Sequence, residues 1–213
     1  MSLFKEKKAF LEEFLKNAPF DGWNKKCLEA TSLKLKKELN YGMILFPNGA
    51  IDIAAFFSSY IDEKMEEYLQ ENGINQAKIR EKIHFLVMLR FSFYLPYKEA
   101  VRKLLRLHLT PTGFPKSLKM LWSTCDSFWH YIGDNSTDFN YYSKRFLLSC
   151  IYSRSLLYWL TDNSKDNEDT SLYLEKEIAR VLKLGNLKKN FQDLNEKITK
   201  IPFLRLLLRK KKI

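Results

Sequence analysis

Apolar residues return every three or four positions along almost the whole chain, and no other feature narrows the fold as much. The clearest run is Phe139, Tyr142, Phe146, Cys150, Ser153, Leu157 and Leu160, whose spacing predicts a long central helix. Ile79, Ile83, Leu86, Leu89 and Phe93 mark a second helix, Val101, Leu104, Leu105 and His108 a third, and Leu118, Leu121, Trp122, Cys125, Trp129 and Ile132 a fourth. Pro96, the segment from Pro111 to Pro115, Gly133 and the polar run from Asp162 to Asp169 fall between them, so the connections are short, as in a packed helical domain. Upstream, helices are predicted over about 4 to 17 and about 24 to 39, with a brief one ending near Phe46-Pro47. A long helix follows, carrying Ile51, Ala54, Ala55, Ser58, Ile61, Met65 and Leu69 on one face.

Only 7 Gly and 6 Pro in 213 residues leave little turn chemistry for an all-β fold, and a hydrophobic content of 46% is enough for a buried core. The three cysteines, Cys27, Cys125 and Cys150, are too widely spaced for a zinc or redox motif. Their odd number does not make a disulfide framework, which points to a reducing compartment and makes the sequon at Asn135-Ser136-Thr137 a chance match. Pro47, Asp52, Arg145 and Arg154 break up every apolar stretch long enough to cross a bilayer. The first residues run straight into an amphipathic pattern without the apolar stretch of a signal peptide.

The net charge of +11 suggests nucleic acid until its location is considered. Between Lys188 and Lys212 nine Lys and Arg face two acids, so +7 of the charge sits in one terminal segment. In the same segment Leu187, Phe191, Leu194, Ile198 and Ile201 form a narrow apolar stripe, and Phe203-Leu204-Arg205-Leu206-Leu207-Leu208 leads into Arg209-Lys210-Lys211-Lys212. Apolar side chains can enter the headgroup boundary while cations meet anionic lipid, so Ile198, Ile201, Phe203, Leu204, Arg205, Leu207, Leu208, Arg209 and Lys210 are read as a membrane-surface anchor. A helix that folds back on the domain, or pairs with another protomer, is the alternative.

Constellations for chemistry are sparse. Glu81-Lys82-Ile83-His84 matches one half of a helical di-iron site, but no second Glu-x-x-His element exists. Asp126, His130 and Asp134 stand four apart and read as a polar stripe opposite the Trp122 to Trp129 face. With no glycine-rich phosphate loop and no nucleophile elbow, the chain is read as non-enzymatic.

The order of the first four helices resembles the start of a TetR-type regulator, in which the third helix enters the major groove. Residues 40 to 48, where that helix would lie, contain no Lys, Arg, Asp or Glu, so phosphate neutralisation would be weak. Lys25, Lys26, Lys34, Lys36 and Lys37 on the preceding helix keep a DNA-binding regulator as the alternative, although no nucleic-acid partner is expected.

One stretch is more specific. Leu121-Trp122-Ser123-Thr124-Cys125-Asp126-Ser127-Phe128-Trp129, followed by residues 133 to 145 from Gly133-Asp134-Asn135 to Tyr141-Tyr142-Ser143-Lys144-Arg145, closely resembles the signature of the coenzyme Q biosynthesis accessory family, protein nine of that pathway. Further matches at Phe20-Asp21-Gly22-Trp23, Phe46-Pro47-Asn48-Gly49 and Lys98-Glu99-Ala100-Val101-Arg102 extend the resemblance from about residue 20 to 185. It implies an all-α, TetR-regulator-like bundle of about nine or ten helices with a C-terminal amphipathic helix. Its divisions would be a degenerate helix-turn-helix-like unit over 1–48, a lipid- and partner-binding domain over 49–185, and the basic amphipathic helix over 186–213.

The resemblance also implies a partner, the demethoxyubiquinone hydroxylase, and a bound isoprenoid quinone lipid, with no other cofactor and no metal. Asp138, Tyr141, Tyr142 and Arg145 are the partner-face candidates, Tyr141 standing where the family often has Trp. Phe85, Met88, Leu89, Phe93, Leu148 and Tyr152 are the candidate cavity lining, chosen because they lie on strongly apolar helices. A homodimer is left open. Because the family's eukaryotic members carry a presequence and the first residues here do not read as one, a bacterial cytoplasmic protein peripheral on the inner membrane is expected.

Overall fold

In the computed structural model, residues 3–74, 77–137 and 139–185 are described. Among them nine α-helices follow one another: α1 Leu3–Asp21, α2 Lys25–Lys34, α3 Tyr41–Leu45, α4 Ala50–Asn72, α5 Ile79–Tyr94, α6 Lys98–His108, α7 Phe114–Ile132, α8 Phe139–Thr161 and α9 Glu168–Gly185. The all-helical expectation is met, and no strand occurs among the described residues. The terminal segment from residue 186 onward, with the nine membrane-anchor candidates from Ile198 to Lys210, lies outside the described residues, as does Asp138.

Local chemistry sets the helix ends. Asn24 starts α2 by accepting the Cys27 N–H at 3.0 Å. That helix stops at Lys34, well short of the expected 39, because Lys36 turns left-handed at φ 56°. α1 runs on to Asp21 through Pro19, past the expected end at 17. Gly133, at φ 85° and ψ 31°, closes α7 while the Asp134 N–H reaches back to the Trp129 carbonyl.

The buried side chains form one continuous core. Phe10 and Phe14 of α1, Phe57 of α4 and Tyr94 of α5 are connected ring to ring through Trp23, whose indole N–H donates to the Ala100 carbonyl at 2.8 Å. The first three helices therefore share their core with α4, α5 and α6.

α8 is a helix as expected, but it buries a different face. Leu148, Ile151, Tyr152, Ser155 and Trp159 point inward, whereas of the predicted stripe only Leu160 is buried, and Phe139, Cys150 and Leu157 are exposed. The helix is apolar on nearly every side, so three-to-four spacing can be traced along more than one face. Position in the bundle selects which of them meets the core.

Candidate functional site

Five helices, α4 to α8, leave a cavity of about 350 Å³ between them. Phe57, Leu104, Leu121 and Leu156 give it apolar walls. At its rim Leu109, Phe114 and Leu157 stay 78%, 51% and 54% exposed, an arrangement that water alone does not favour. His108 also faces this space; its ring shares the Ser117 hydroxyl, and burial holds its pKa down at about 4. So weak a base does little proton abstraction near neutral pH, and the Ser117 hydroxyl is also turned to the Gly113 carbonyl at 2.9 Å.

Beneath the inner end lies Arg90, wholly buried on α5. It pairs with Asp62 and donates to the hydroxyls of Ser58 at 2.9 Å and Tyr94 at 3.2 Å. Burial works against its charge, but Tyr94, Tyr152 and Asp62 outweigh burial and hold its pKa above the ordinary value. Burial, and then Tyr94, push the Tyr152 phenol well up, while Arg90 draws it back.

Of the six candidate lining residues, the structure places only Tyr152 on this cavity. Leu89 and Leu148 are packed in the core, and Phe93 sits half-buried against Tyr68. Phe85 and Met88 line a separate shallow depression beside the start of α9, with His84 and Ser171. Apolar character singled out α5 and α8, and of these α5 gives the cavity only Tyr94. The walls come largely from α6 and α7 instead, where the one available signal was a lone histidine in an apolar stripe at His108.

Of the four partner-face candidates, Tyr141, Tyr142 and Arg145 come together, and Asp138 lies outside the described residues. Tyr141 and Tyr142 meet edge to face at 5.1 Å, and Tyr142 lies 6.2 Å from Trp122. Arg145 lies beneath them, only 3% exposed, and spans Asp126 at 2.5 Å and Asp134 at 3.3 Å. Lys144 adds a 2.6 Å bridge to Asp134. Burial tends to raise the Asp134 carboxyl, but hydrogen bonds from Lys144, Ser136 and Arg145 prevail and set it below the ordinary value. Asp126 and Asp134, expected as a polar stripe of one helix, are thus the two anchors of Arg145, and His130 is left exposed. The arrangement builds a rigid corner between α7 and α8.

Elsewhere, His84 shares its Nε2 with Ser171, and Glu81 accepts the Lys78 N–H at 3.2 Å at the start of α5. No group of three or more His, Cys, Asp or Glu is arranged to hold a metal among the described residues. No helix among them is long and apolar enough to cross a membrane.

Helix α1, the short helices α2 and α3, and the helices α4 to α8 that enclose a cavity make up a TetR-like fold. The crystal structure of a TetR transcriptional regulator from Nitrosomonas europaea matches with a TM-score of 0.67, over 83% of this chain and 97% of that one. At 14% identity this shows the fold alone. Residues 114–185 match the COQ9 family model, and the resemblance seen in the sequence is borne out. Over 85% of its length the chain is 30% identical to the human ubiquinone biosynthesis protein COQ9, mitochondrial, covering 59% of that protein. It is 31% identical to COQ9-B of Xenopus laevis over 86% of its length, and 25% identical to COQ9 of Drosophila melanogaster over 82%. The chain spans 65% of the Xenopus protein and 54% of the Drosophila one.

These relatives overturn one expectation. All three are mitochondrial by name, which conflicts with a bacterial cytoplasmic location. That expectation rested on the first few residues, and a chain matching little more than half of its relatives' length carries no information on leaders at its start.

Proposed function

We propose that this chain is a non-catalytic accessory protein of ubiquinone biosynthesis that binds polyprenyl-quinone intermediates at a membrane surface and presents them to the demethoxyubiquinone hydroxylase. The observation that carries the reading is the apolar cavity between α4 and α8 with its exposed rim of Leu109, Phe114 and Leu157, in a chain related to ubiquinone biosynthesis proteins. Its volume of about 350 Å³ suits a ring with a short length of tail, at the lower end of the roughly 300–1,000 Å³ of ligand pockets. The rim lets the rest of a long tail continue outward.

The corner of Tyr141, Tyr142 and Arg145 is the proposed hydroxylase-binding face, with aromatic surface set on a fixed support. The basic, apolar segment after residue 186 is the proposed membrane contact. A DNA-binding regulator shares the fold, but α3 carries no charged side chain with which to approach phosphate.

The full-length protein, purified and extracted with organic solvent, is expected to yield isoprenoid quinone or a related lipid near one per chain by mass spectrometry. A protein that comes out empty and also ignores added quinone would remove the lipid-binding reading.

A further inference from the structure

Which end of an amphiphile enters the cavity first is a separate question, and its answer rests on the lipid-binding reading. A guanidinium has only donors, so every polar group against Arg90 must accept from it. Ser58 and Tyr94 do so through their hydroxyl oxygens, at 2.9 and 3.2 Å, and both residues line the cavity. Having given a lone pair to a cation, each hydroxyl keeps its own proton to donate, and the cation polarises it into a stronger donor. Neither hydroxyl donates to a protein acceptor among the described residues. Tyr152 also lines the cavity and brings a third hydroxyl to it.

The charge at this end is already balanced. Asp62 pairs with Arg90, so an anionic headgroup would bring an unmatched charge into apolar surroundings. The complement to an array of polarised O–H donors beside a neutralised cation is a neutral group rich in acceptors, of which a ring carbonyl is the simplest.

We propose that the cavity takes its lipid head inward, with a neutral head bearing carbonyl-type oxygens seated on the hydroxyls of Ser58, Tyr94 and Tyr152. The hydrocarbon tail leaves past Leu109, Phe114 and Leu157, where the rim is apolar and open. Held in this way the reactive ring is shielded from water during transfer, and release at a partner requires the lipid to slide out tail first.

The test uses the full-length protein and two probes: ubiquinone with a two-isoprene tail, and an isoprenoid hydrocarbon of the same overall length. The wild type is expected to bind the quinone more tightly. Tyr94→Phe and Ser58→Ala should each weaken the quinone on the order of fivefold, the effect of one hydrogen bond, and leave the hydrocarbon unchanged. Retained hydrocarbon binding also shows that each variant still has its cavity. With carbonyl-labelled quinone, the bound C=O infrared band should lie below its position in hydrocarbon solvent and move back in Tyr94→Phe. Equal affinity for the two probes, variants that bind quinone as the wild type does, or an unshifted carbonyl band would overturn head-inward seating while lipid binding stood. Failure of both probes to bind would remove the lipid reading together with it.

Discussion

The guanidinium of Arg145 lies 3.4 Å from the centre of the Tyr141 ring, and both side chains bond the same oxygen of Asp126, Tyr141 at 2.9 Å and Arg145 at 2.5 Å. The sequence presents Arg145 as a contact residue, but its side chain is 4% exposed and it also holds Asp134, itself 7% exposed. Arg145→Met should therefore destabilise the protein by about 2–3 kcal/mol, because it takes a charge-assisted partner from a buried carboxylate that Lys144 only partly satisfies. Urea unfolding of the variant measures this. Any loss of hydroxylase binding in that variant would then mix support with contact, whereas Phe139→Ala, at an exposed position beside the same corner, should change stability by less than about 1 kcal/mol and report the surface directly. An Arg145→Met protein as stable as the wild type would mean that the corner is not a support.

Asp162 ties the end of α8 to the start of α9. It accepts the N–H groups of Ser164 at 2.7 Å and Thr170 at 2.9 Å, and the Thr170 hydroxyl as well. Burial alone would raise its carboxyl, but these hydrogen bonds prevail and lower the pKa from 3.8 to about 2. A depressed folded-state pKa means stability that is fully present above 3.8 and is lost as pH falls through about 2. The thermal stability gap between the wild type and Asp162→Asn should accordingly be constant above about pH 5 and shrink steadily below pH 4. A gap independent of pH down to pH 2 would show that the carboxylate charge is not what the turn uses.

Gly133 fixes the direction in which the chain leaves α7. Its φ of 85° is a left-handed conformation that a Cβ disfavours, although no neighbouring atom would meet that Cβ within 4 Å. The cost of Gly133→Ala is thus one of backbone strain without a clash, about 1 kcal/mol, and should appear in chemical denaturation. Because Asp134 follows directly and anchors both Lys144 and Arg145, near-ultraviolet circular dichroism from the Tyr141 and Tyr142 rings should change as well.

The helical order was legible because spacing of apolar residues survives in any helix that packs, and Asn24, Gly49, Gly73 and Gly133 stand where helices begin or end. Faces were harder. On α8 the sequence offered Phe139, Tyr142 and Phe146, yet Leu148, Tyr152 and Trp159 reach the core. The two arginines that organise the interior were also hidden. Arg145 reads as a contact residue and nothing in the sequence singles out Arg90, since their partners Asp62, Ser58, Asp126 and Asp134 come from other parts of the chain. Tyr152 was found because it belongs both to an apolar helix and to the cavity, whereas Phe85 and Met88 share only the first property.

Leu121 stands half-buried on the wall of the apolar cavity, so enlarging it distinguishes open space from packed core. In a close-packed interior Leu121→Trp would force side chains apart at a cost of about 1–3 kcal/mol. Facing a cavity of about 350 Å³, the indole has room to enter, and stability should stay within about 1 kcal/mol of the wild type. The same ring occupies volume that a lipid would need, so the yield of co-purifying lipid should fall several-fold. Denaturation and mass spectrometry of one preparation read both effects. Retained stability with lost lipid places the ligand between α4 and α8; lost stability with retained lipid would mean that the wall is solid and that any lipid is held elsewhere.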